Sequence, residues 1–176
     1  DRSPAQLLTP GQLVHVGAAD VHTGGCVANT GLALHRFGVP TLLVAKTGAD
    51  AFGRLIGDLL AKEGVTYTLA ADAQSTTSYS IVVAPPGVDR VFWHHSGANE
   101  LFSNADVPDE ALTGAQLMHF GYPPLMTRLC QSGGEELTCL LRRAKQLGLA
   151  TSLDLAAIDP LSEIAELDWP ALLAAW

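Results

Sequence analysis

The sequence predicts an α/β domain in which helices pack on a mostly parallel sheet, and three observations carry this prediction. Apolar runs of strand length lie at residues 41–45, 117–120 and 149–155. Between these runs the apolar residues follow helical spacing, as in β-α-β units with strands buried on both faces. The third observation is residues 75–95, which are rich in Thr, Ser, Val and Tyr and predict a β-hairpin with a wide turn at 85–90.

The first helix is expected to begin near Val27, directly after the turn at residues 23–25. Gly38 lies just past its last apolar turn and predicts its end. A second helix is expected from Ala51 to Glu63, and Asp50 is well placed to cap it. We favour this capping interpretation of Asp50 over direct contact with a ligand.

The second half of the chain repeats the α/β pattern. A helix is expected over Glu135–Leu147, closed by Gly148, between the strands at 117–120 and 149–155. A further apolar helix begins at Trp169 and continues to the end of the chain. The whole sequence therefore predicts one domain, as its length of 176 residues suggests.

Composition excludes several classes of partner. Asp and Glu outnumber Lys and Arg by 18 to 10, which gives a net charge of −8. This charge repels phosphate backbones and anionic lipid, and the longest basic run is Arg142-Arg143. No apolar run approaches the roughly 20 residues that span a bilayer. We expect no nucleic-acid partner, no membrane partner and a cytoplasmic location.

The three cysteines are too widely spaced to predict a disulfide framework or a zinc site, and we expect no metal bound by this chain's motifs. Cys26 lies inside a glycine motif. It could be a thiol in a pocket, although a small buried apolar role is favoured.

The glycine pair Gly24-Gly25 and the following Asn29 form the candidate binding motif. Paired glycines let a ligand approach the backbone closely, and amides at a helix N-terminus can donate to hydroxyl oxygens. The side chain of Asn29 supplies both a donor and an acceptor. Taken alone, however, two glycines before a helix are typical of an ordinary tight turn.

The longer pattern resembles a known family. Gly24, Gly25 and Asn29 are followed at characteristic spacing by Gly38, Gly48, Asp50 and Gly53. This pattern closely resembles the first signature of the ribokinase-like, or phosphofructokinase-B, family of sugar kinases. Further resemblances follow in order along the chain, at residues 9–11, 75–83, 97–99, 119–121 and 152–154.

The resemblance implies a ribokinase-like three-layer α/β/α sandwich, here partial, with a small β-sheet lid. Residues 1–176 would form its N-terminal part, with lid strands contributed by about 11–22 and 75–97. The implied activity is ATP-dependent phosphorylation of a hydroxymethyl group of a sugar or nucleoside, with Mg²⁺ as the metal. The lid would pair with the same element of a second subunit in a homodimer.

The resemblance also implies roles for individual residues. Gly24, Gly25 and Asn29 would bind substrate hydroxyls. Asn99 would bind substrate too, although an Asn at this position could equally be a turn residue. Asp154 ends a strand, so it would lie near phosphate or Mg²⁺, or would organise the following loop.

Two departures from the family pattern concern the substrate. Val27 and Gly31 differ from the residues that many members carry at these positions, which leaves the sugar undetermined. Asp1 lies near the place of the family's sugar-binding aspartate, but a little too close to the motif.

No segment after Asp154 resembles the family's catalytic aspartate or nucleotide loops. We therefore expect no catalytic residue in this chain, which would hold only the sugar-binding half of the enzyme. The alternative is a non-catalytic sugar- or nucleoside-binding module.

Overall fold

The computed structural model describes residues 10–11, 13–84, 87, 89–156 and 163–174. The strands are β1 (Leu42–Gly48), β2 (Thr66–Asp72), β3 (Tyr79–Val83), β4 (Val91–His95), β5 (Leu117–Gly121) and β6 (Ala150–Asp154). The α-helices are α1 (Ala33–Arg36), α2 (Ala51–Glu63), α3 (Asp109–Leu112), α4 (Thr127–Gln146) and α5 (Trp169–Leu173). A π-helical segment, Val27–Leu32, precedes α1, and short 3₁₀ helices lie at Gly97–Leu101, Asn104–Asp106, Pro123–Leu125 and Glu163–Glu166.

The strands pair in three ladders. β1 and β2 are parallel and are connected by α2, while β5 and β6 are parallel and are connected by α4. β3 and β4 form an antiparallel hairpin in which Tyr79 faces His95 and Val83 faces Val91. The predicted parallel unit of β5 and β6 and the predicted hairpin are thus confirmed, whereas β2 was not among the predicted strands.

Side chains of β1 pack into two separate cores. Leu43 belongs to a cluster with residues of the π-helix, α2 and the α2–β2 turn, whereas Val44 packs against a cluster built mainly on α4. Successive residues of a strand point to opposite faces, so helices cover β1 on both sides. This is the layered α/β/α arrangement that the family resemblance implies.

The ends of α2 follow the sequence prediction. The carboxylate of Asp50 accepts a hydrogen bond from the Gly53 amide at 2.8 Å, which confirms Asp50 as the N-cap. At the other end Gly64 adopts a left-handed conformation with φ of +69°. Glycine tolerates this conformation because it has no Cβ, so the helix ends where the sequence predicts.

The first helix has the predicted position but a different winding. Its first six residues, Val27–Leu32, are π-helical, and only Ala33–Arg36 is α-helical. Apolar spacing does not distinguish these windings over so short a segment. The π winding lies where the helix crosses β1, since a Cβ on Gly31 would overlap Leu43 Cδ2. This close contact gives a packing reason for the glycine at position 31.

The expected lid strand at about 11–22 is not seen in the part of it that the structure describes. Residues 13–22 form no strand, and Leu13 and Val16 are 78% and 85% exposed. An apolar run forms a stable strand only beside a hydrogen-bonding neighbour, and none of the described strands lies next to this one. Asp1 and part of the turn at 85–90 lie outside the described residues.

The helix expected over 135–147 is present as the second part of α4. Residues 131–134 are not helical, and Ser132, Gly133 and Gly134 are left-handed, so they divide α4 into two helical stretches. None of the described helices is both long enough and apolar enough to span a bilayer.

Candidate functional site

The glycine turn is open to solvent. Gly25 has a φ of +73°, a conformation that a residue with a side chain rarely adopts. A Cβ on Gly24 or on Gly25 would meet no atom within 4 Å. The turn therefore offers free space beside its backbone, at the start of the first helix, as a close approach by a ligand requires.

Cys26 joins this turn to the end of β5. Its side chain is 5% exposed, and a Cβ on Gly121 would overlap both Cβ and Sγ of Cys26. Burial raises the pKa of the Cys26 thiol, and the negative charge of Asp154 raises it further. The structure thus supports the buried small-residue interpretation of Cys26, and brings the glycine motif close to Asp154.

Asp154 lies at the carboxyl end of the β5–β6 pair, in register with Gly121. Its backbone oxygen accepts a hydrogen bond from the Tyr122 amide at 2.7 Å, and its Oδ1 accepts one from the Ala156 amide at 2.9 Å. The carboxylate therefore organises the loop that follows β6, which was one of the two expected roles.

The backbone at this edge is unusual. Tyr122 and Ala156, which follow β5 and β6, have φ angles of +65° and +54° although neither is glycine. Such conformations cost energy and concentrate at functional sites. Carboxyl ends of parallel strands are also where open α/β sheets place their ligands. This edge is therefore the candidate binding site.

Asn29 lies one turn after Gly25 and is exposed. Its side-chain amide makes no hydrogen bond to another described residue, so both its donor and its acceptor are available to a ligand. Of the predicted residues, Gly24 and Gly25 directly precede Cys26, which contacts Gly121 at the end of β5, and Asp154 lies in register with Gly121.

Asn99 lies elsewhere, in the 3₁₀ helix that follows the hairpin. The preceding Ala98 is fully buried and its amide donates to the Thr76 oxygen at 2.7 Å. Gly97 has a φ of +49° and its hydrogen faces the same backbone, since a Cβ there would overlap the Thr76 oxygen. Asn99 is thus fixed beside the base of the hairpin, and no described hydrogen bond links it to Asn29.

Ion pairs hold the segment after Asn99 against the body of the domain. Lys46 of β1 pairs with Asp106 at 3.0 Å and lies 3.7 Å from Asp72, and each of these three side chains is less than 25% exposed. Arg143 of α4 donates to the side-chain oxygen of Asn104 at 2.6 Å. These contacts give the 3₁₀ segments a fixed position relative to β1 and α4.

Two functional features were missed by the sequence reasoning. The contact between Cys26 and Gly121 joins residues 95 positions apart, and no local pattern signals it. Thr77 is buried and bonds to Asp50, but in the sequence it is one of several hydroxyl residues in the hairpin segment. The only available signal was the presence of Gly121 at the end of a predicted strand.

The described residues also line two cavities. One of about 340 Å³ lies at the end of β1 and is lined by residues that include Gly48, Asp50 and Arg54. Another of about 460 Å³ lies between α4 and α5 and contains none of the predicted site residues. In the described part of the chain, no three His, Cys, Asp or Glu side chains are grouped closely enough to hold a metal.

The sequence profile described as "pfkB family carbohydrate kinase" matches residues 1–171. The chain belongs to the pfkB family of carbohydrate kinases. Among curated relatives, "Fructokinase-2" from Oryza sativa subsp. japonica is 27% identical over 156 residues, which are 87% of this chain and 46% of the relative. The chain thus spans about half the length of the curated relatives it matches.

Solved structures confirm the ribokinase-like fold of this pfkB chain. A ribokinase from Giardia lamblia matches with a TM-score of 0.71 and 19% identity, over 94% of this chain and 52% of that one. A fructokinase from Xylella fastidiosa, solved with bound ATP, matches with a TM-score of 0.68 and 25% identity, over 81% and 46% of the two chains. The family and the partial α/β fold expected from the sequence are both confirmed.

Proposed function

We propose that this chain forms the sugar-binding part of an ATP-dependent kinase that phosphorylates a hydroxymethyl group of a sugar. The observation that carries the proposal is the position of the glycine turn. Cys26 presses against Gly121, so the open backbone of Gly24 and Gly25 lies at the carboxyl edge of β5 and β6. Relatives named fructokinase favour fructose as the first substrate to test.

The proposed roles of the residues follow from their exposure. Gly24 and Gly25 allow a sugar to contact the backbone. The side chain of Asn29 binds a sugar hydroxyl group, to which it can both donate and accept a hydrogen bond. Asn99 contributes from the base of the hairpin. Asp154 keeps the loop after β6 in place, and its second proposed role is near the phosphoryl group or Mg²⁺.

The catalytic base and the nucleotide site are proposed to lie outside these residues. Phosphoryl transfer depends on positioning and on charge stabilisation around the phosphates. At the candidate edge Asp154 ends β6, and the described part of the chain groups no three His, Cys, Asp or Glu side chains that could hold a metal. In this proposal the chain selects and orients the sugar, while ATP and Mg²⁺ are bound by other residues.

The hairpin is proposed to pair with the hairpin of a second copy. Six of its large apolar residues are between 41% and 55% exposed: Tyr79, Ile81, Val82, Val91, Phe92 and Trp93. Two strands alone are only marginally stable in water, and their free edges invite a further strand. A symmetric homodimer would cover both the edges and the apolar surface.

The test is calorimetric titration with fructose, ribose, 2-keto-3-deoxygluconate and adenosine, together with an assay of ATP consumption. We expect one of the sugars to bind, and Gly25→Val to abolish binding because valine strains the turn and blocks its backbone. Gly114→Val is the matched control, since Gly114 is also left-handed, with a φ of +80°, but lies after α3.

Three outcomes separate the alternatives. Sugar binding by this chain, together with ATP consumption by the intact protein that contains the catalytic residues, supports the kinase. Sugar binding without ATP consumption by the intact protein supports the non-catalytic binding module instead. Absence of binding to all four compounds contradicts the proposed function.

A further inference from the structure

Two chain passages, residues 75–78 and 95–98, connect the β3–β4 hairpin to the rest of the domain, and they are bonded to each other. The Ala98 amide donates to the Thr76 oxygen at 2.7 Å. Thr76 Oγ1 and His95 Nε2 share a hydrogen bond of 2.7 Å. The two passages therefore act as one narrow connection.

Thr77 fixes this connection to the body. It is only 2% exposed, and its amide donates to Asp50 Oδ2 at 2.8 Å while its hydroxyl donates to Asp50 Oδ1 at 2.6 Å. The same hydroxyl accepts a hydrogen bond from the Gly48 amide at 2.9 Å. One buried threonine thus bonds to the end of β1 and to the N-cap of α2.

The packing around Thr77 leaves no room for adjustment. A Cβ on Gly48 would lie 2.6 Å from the Ser75 oxygen and from the Thr77 nitrogen. A Cβ on Gly53 would overlap the Gly48 oxygen. Glycine at both positions lets three backbone segments meet at Thr77, so their relative positions are closely determined.

Beyond this point the hairpin has little support. All five residues of β4 and four of the five in β3 are exposed. One further contact to the body is the tilted ring pair of Tyr79 and Phe52, with centroids 5.3 Å apart. A hairpin held mainly at its base takes its orientation from that base.

We propose that Asp50 and Thr77 form the pivot that sets the orientation of the hairpin, and that they are positioning residues for the substrate site. Asn99 follows the same connection directly, so a shift of the pivot moves it too. The pivot is independent of what the chain binds, whereas its effect on substrate rests on the proposed function. The test below therefore uses no substrate.

Three variants test the hydrogen bonds between Asp50 and Thr77 individually. Asp50→Asn keeps the Oδ1 acceptor that caps Gly53 but replaces the Oδ2 acceptor of the Thr77 amide with a donor. Thr77→Val keeps the shape and removes the hydroxyl, and Thr77→Ser restores it. Asp58→Asn is the matched charge control, because Asp58 is exposed on the same helix.

Distance measurement by pulsed electron spin resonance reports the hairpin's orientation in the full chain. Cys139 is exposed on α4, whereas Cys26 and Cys130 are buried, so one spin label attaches at Cys139. The second label is placed on the hairpin at Val82→Cys, and the labelled chain is mixed with an excess of unlabelled chain so that each measured pair lies within one chain. A reference pair within the body joins Cys139 to Lys62→Cys on α2.

We expect one narrow distance between hairpin and body in the native chain, in Thr77→Ser and in Asp58→Asn. Asp50→Asn and Thr77→Val should shift and broaden that distance while the reference pair stays unchanged. An unchanged hairpin distance in Asp50→Asn overturns the proposal. Equal broadening of both pairs also overturns it, because the two residues would then stabilise the whole domain. If Thr77→Val does not fold, Asp50→Asn decides the outcome.

Discussion

The side chain of Cys26 packs directly against Gly121 and occupies the space that a Cβ at position 121 would need. Cys26 directly follows the glycine pair, and Gly121 is the last residue of β5. Their contact fixes the distance between the open turn and the edge that carries Asp154. The first prediction tests this contact.

Gly121→Ala should destabilise the domain by about 1–3 kcal/mol, the usual cost of forcing an extra methyl group into a packed interior. It should also weaken sugar binding, because the turn has to move. Urea unfolding and calorimetric titration measure the two effects. Gly57→Ala on α2 is the control, since its nearest neighbour would be 3.8 Å away and alanine favours the helix. If Gly121→Ala matches Gly57→Ala in stability, the contact has no structural role.

Asn29→Ala should weaken sugar binding by about 10- to 100-fold, which corresponds to the roughly 1–3 kcal/mol of a lost buried hydrogen-bond partner. Its unfolding midpoint should stay unchanged because the side chain bonds to no other described residue. Asn104→Ala is the reverse control, since its side chain accepts a hydrogen bond from Arg143. That variant should lose stability and keep its affinity. Unchanged affinity in Asn29→Ala would remove it from the site.

The lowered pKa of Asp50 predicts that the domain loses stability in acid. Hydrogen bonds from the Thr77 side chain, the Thr77 amide and the Gly53 amide lower the pKa of Asp50 to about 2. In an unfolded chain an aspartate titrates near 3.9, so the native state holds the charged form more strongly. This contribution is complete above about pH 5 and is lost as the pH falls toward 2.

Thermal unfolding between pH 6 and pH 2 checks this prediction. The difference in midpoint between the native chain and Asp50→Asn should be largest at pH 6 and should shrink toward pH 2. The difference in midpoint between the native chain and Asp58→Asn should not shrink in this way, because Asp58 takes no part in these hydrogen bonds. A constant difference for Asp50→Asn across the range would contradict the prediction.

Lys46→Met should destabilise the domain by about 3 kcal/mol, because it leaves the carboxylate of Asp106 buried without its cation. The two side chains are 12% and 13% exposed. A double-mutant cycle with Asp106→Asn, measured by urea unfolding, should give a coupling energy of about 1–3 kcal/mol. Arg36→Met, which breaks an exposed pair with Glu63, should cost much less. Additive effects of the first two changes would refute the coupling.

Val82→Lys should shift the chain from dimer to monomer in sedimentation experiments, since a charge on the exposed surface of β3 opposes association of two hairpins. Phe37→Lys is the control, because Phe37 is exposed but lies after α1, away from the hairpin. The proposal fails if the native chain sediments as a monomer, or if Phe37→Lys dissociates the dimer equally.

Local sequence patterns predicted most of the secondary structure. The N-cap at Asp50, the end of α2 at Gly64 and the strands β5 and β6 are properties of short segments. These signals depend on a few neighbouring residues, so they can be recognised without the fold. Residues 13–22, within the strand expected at about 11–22, form no strand. A strand also needs a hydrogen-bonding partner, which a local run of apolar residues does not specify.

The sequence by itself determined the family, most of the helices and strands, and the glycine turn with Asn29 as the candidate binding motif. Only the tertiary structure decided that Cys26 rests on Gly121, that Asp154 holds the following loop, and that Thr77 anchors the hairpin to Asp50. The physical reason is distance along the chain. Turns and caps follow from neighbouring residues, whereas close packing between segments far apart in sequence exists only once the sheet and its helices have assembled.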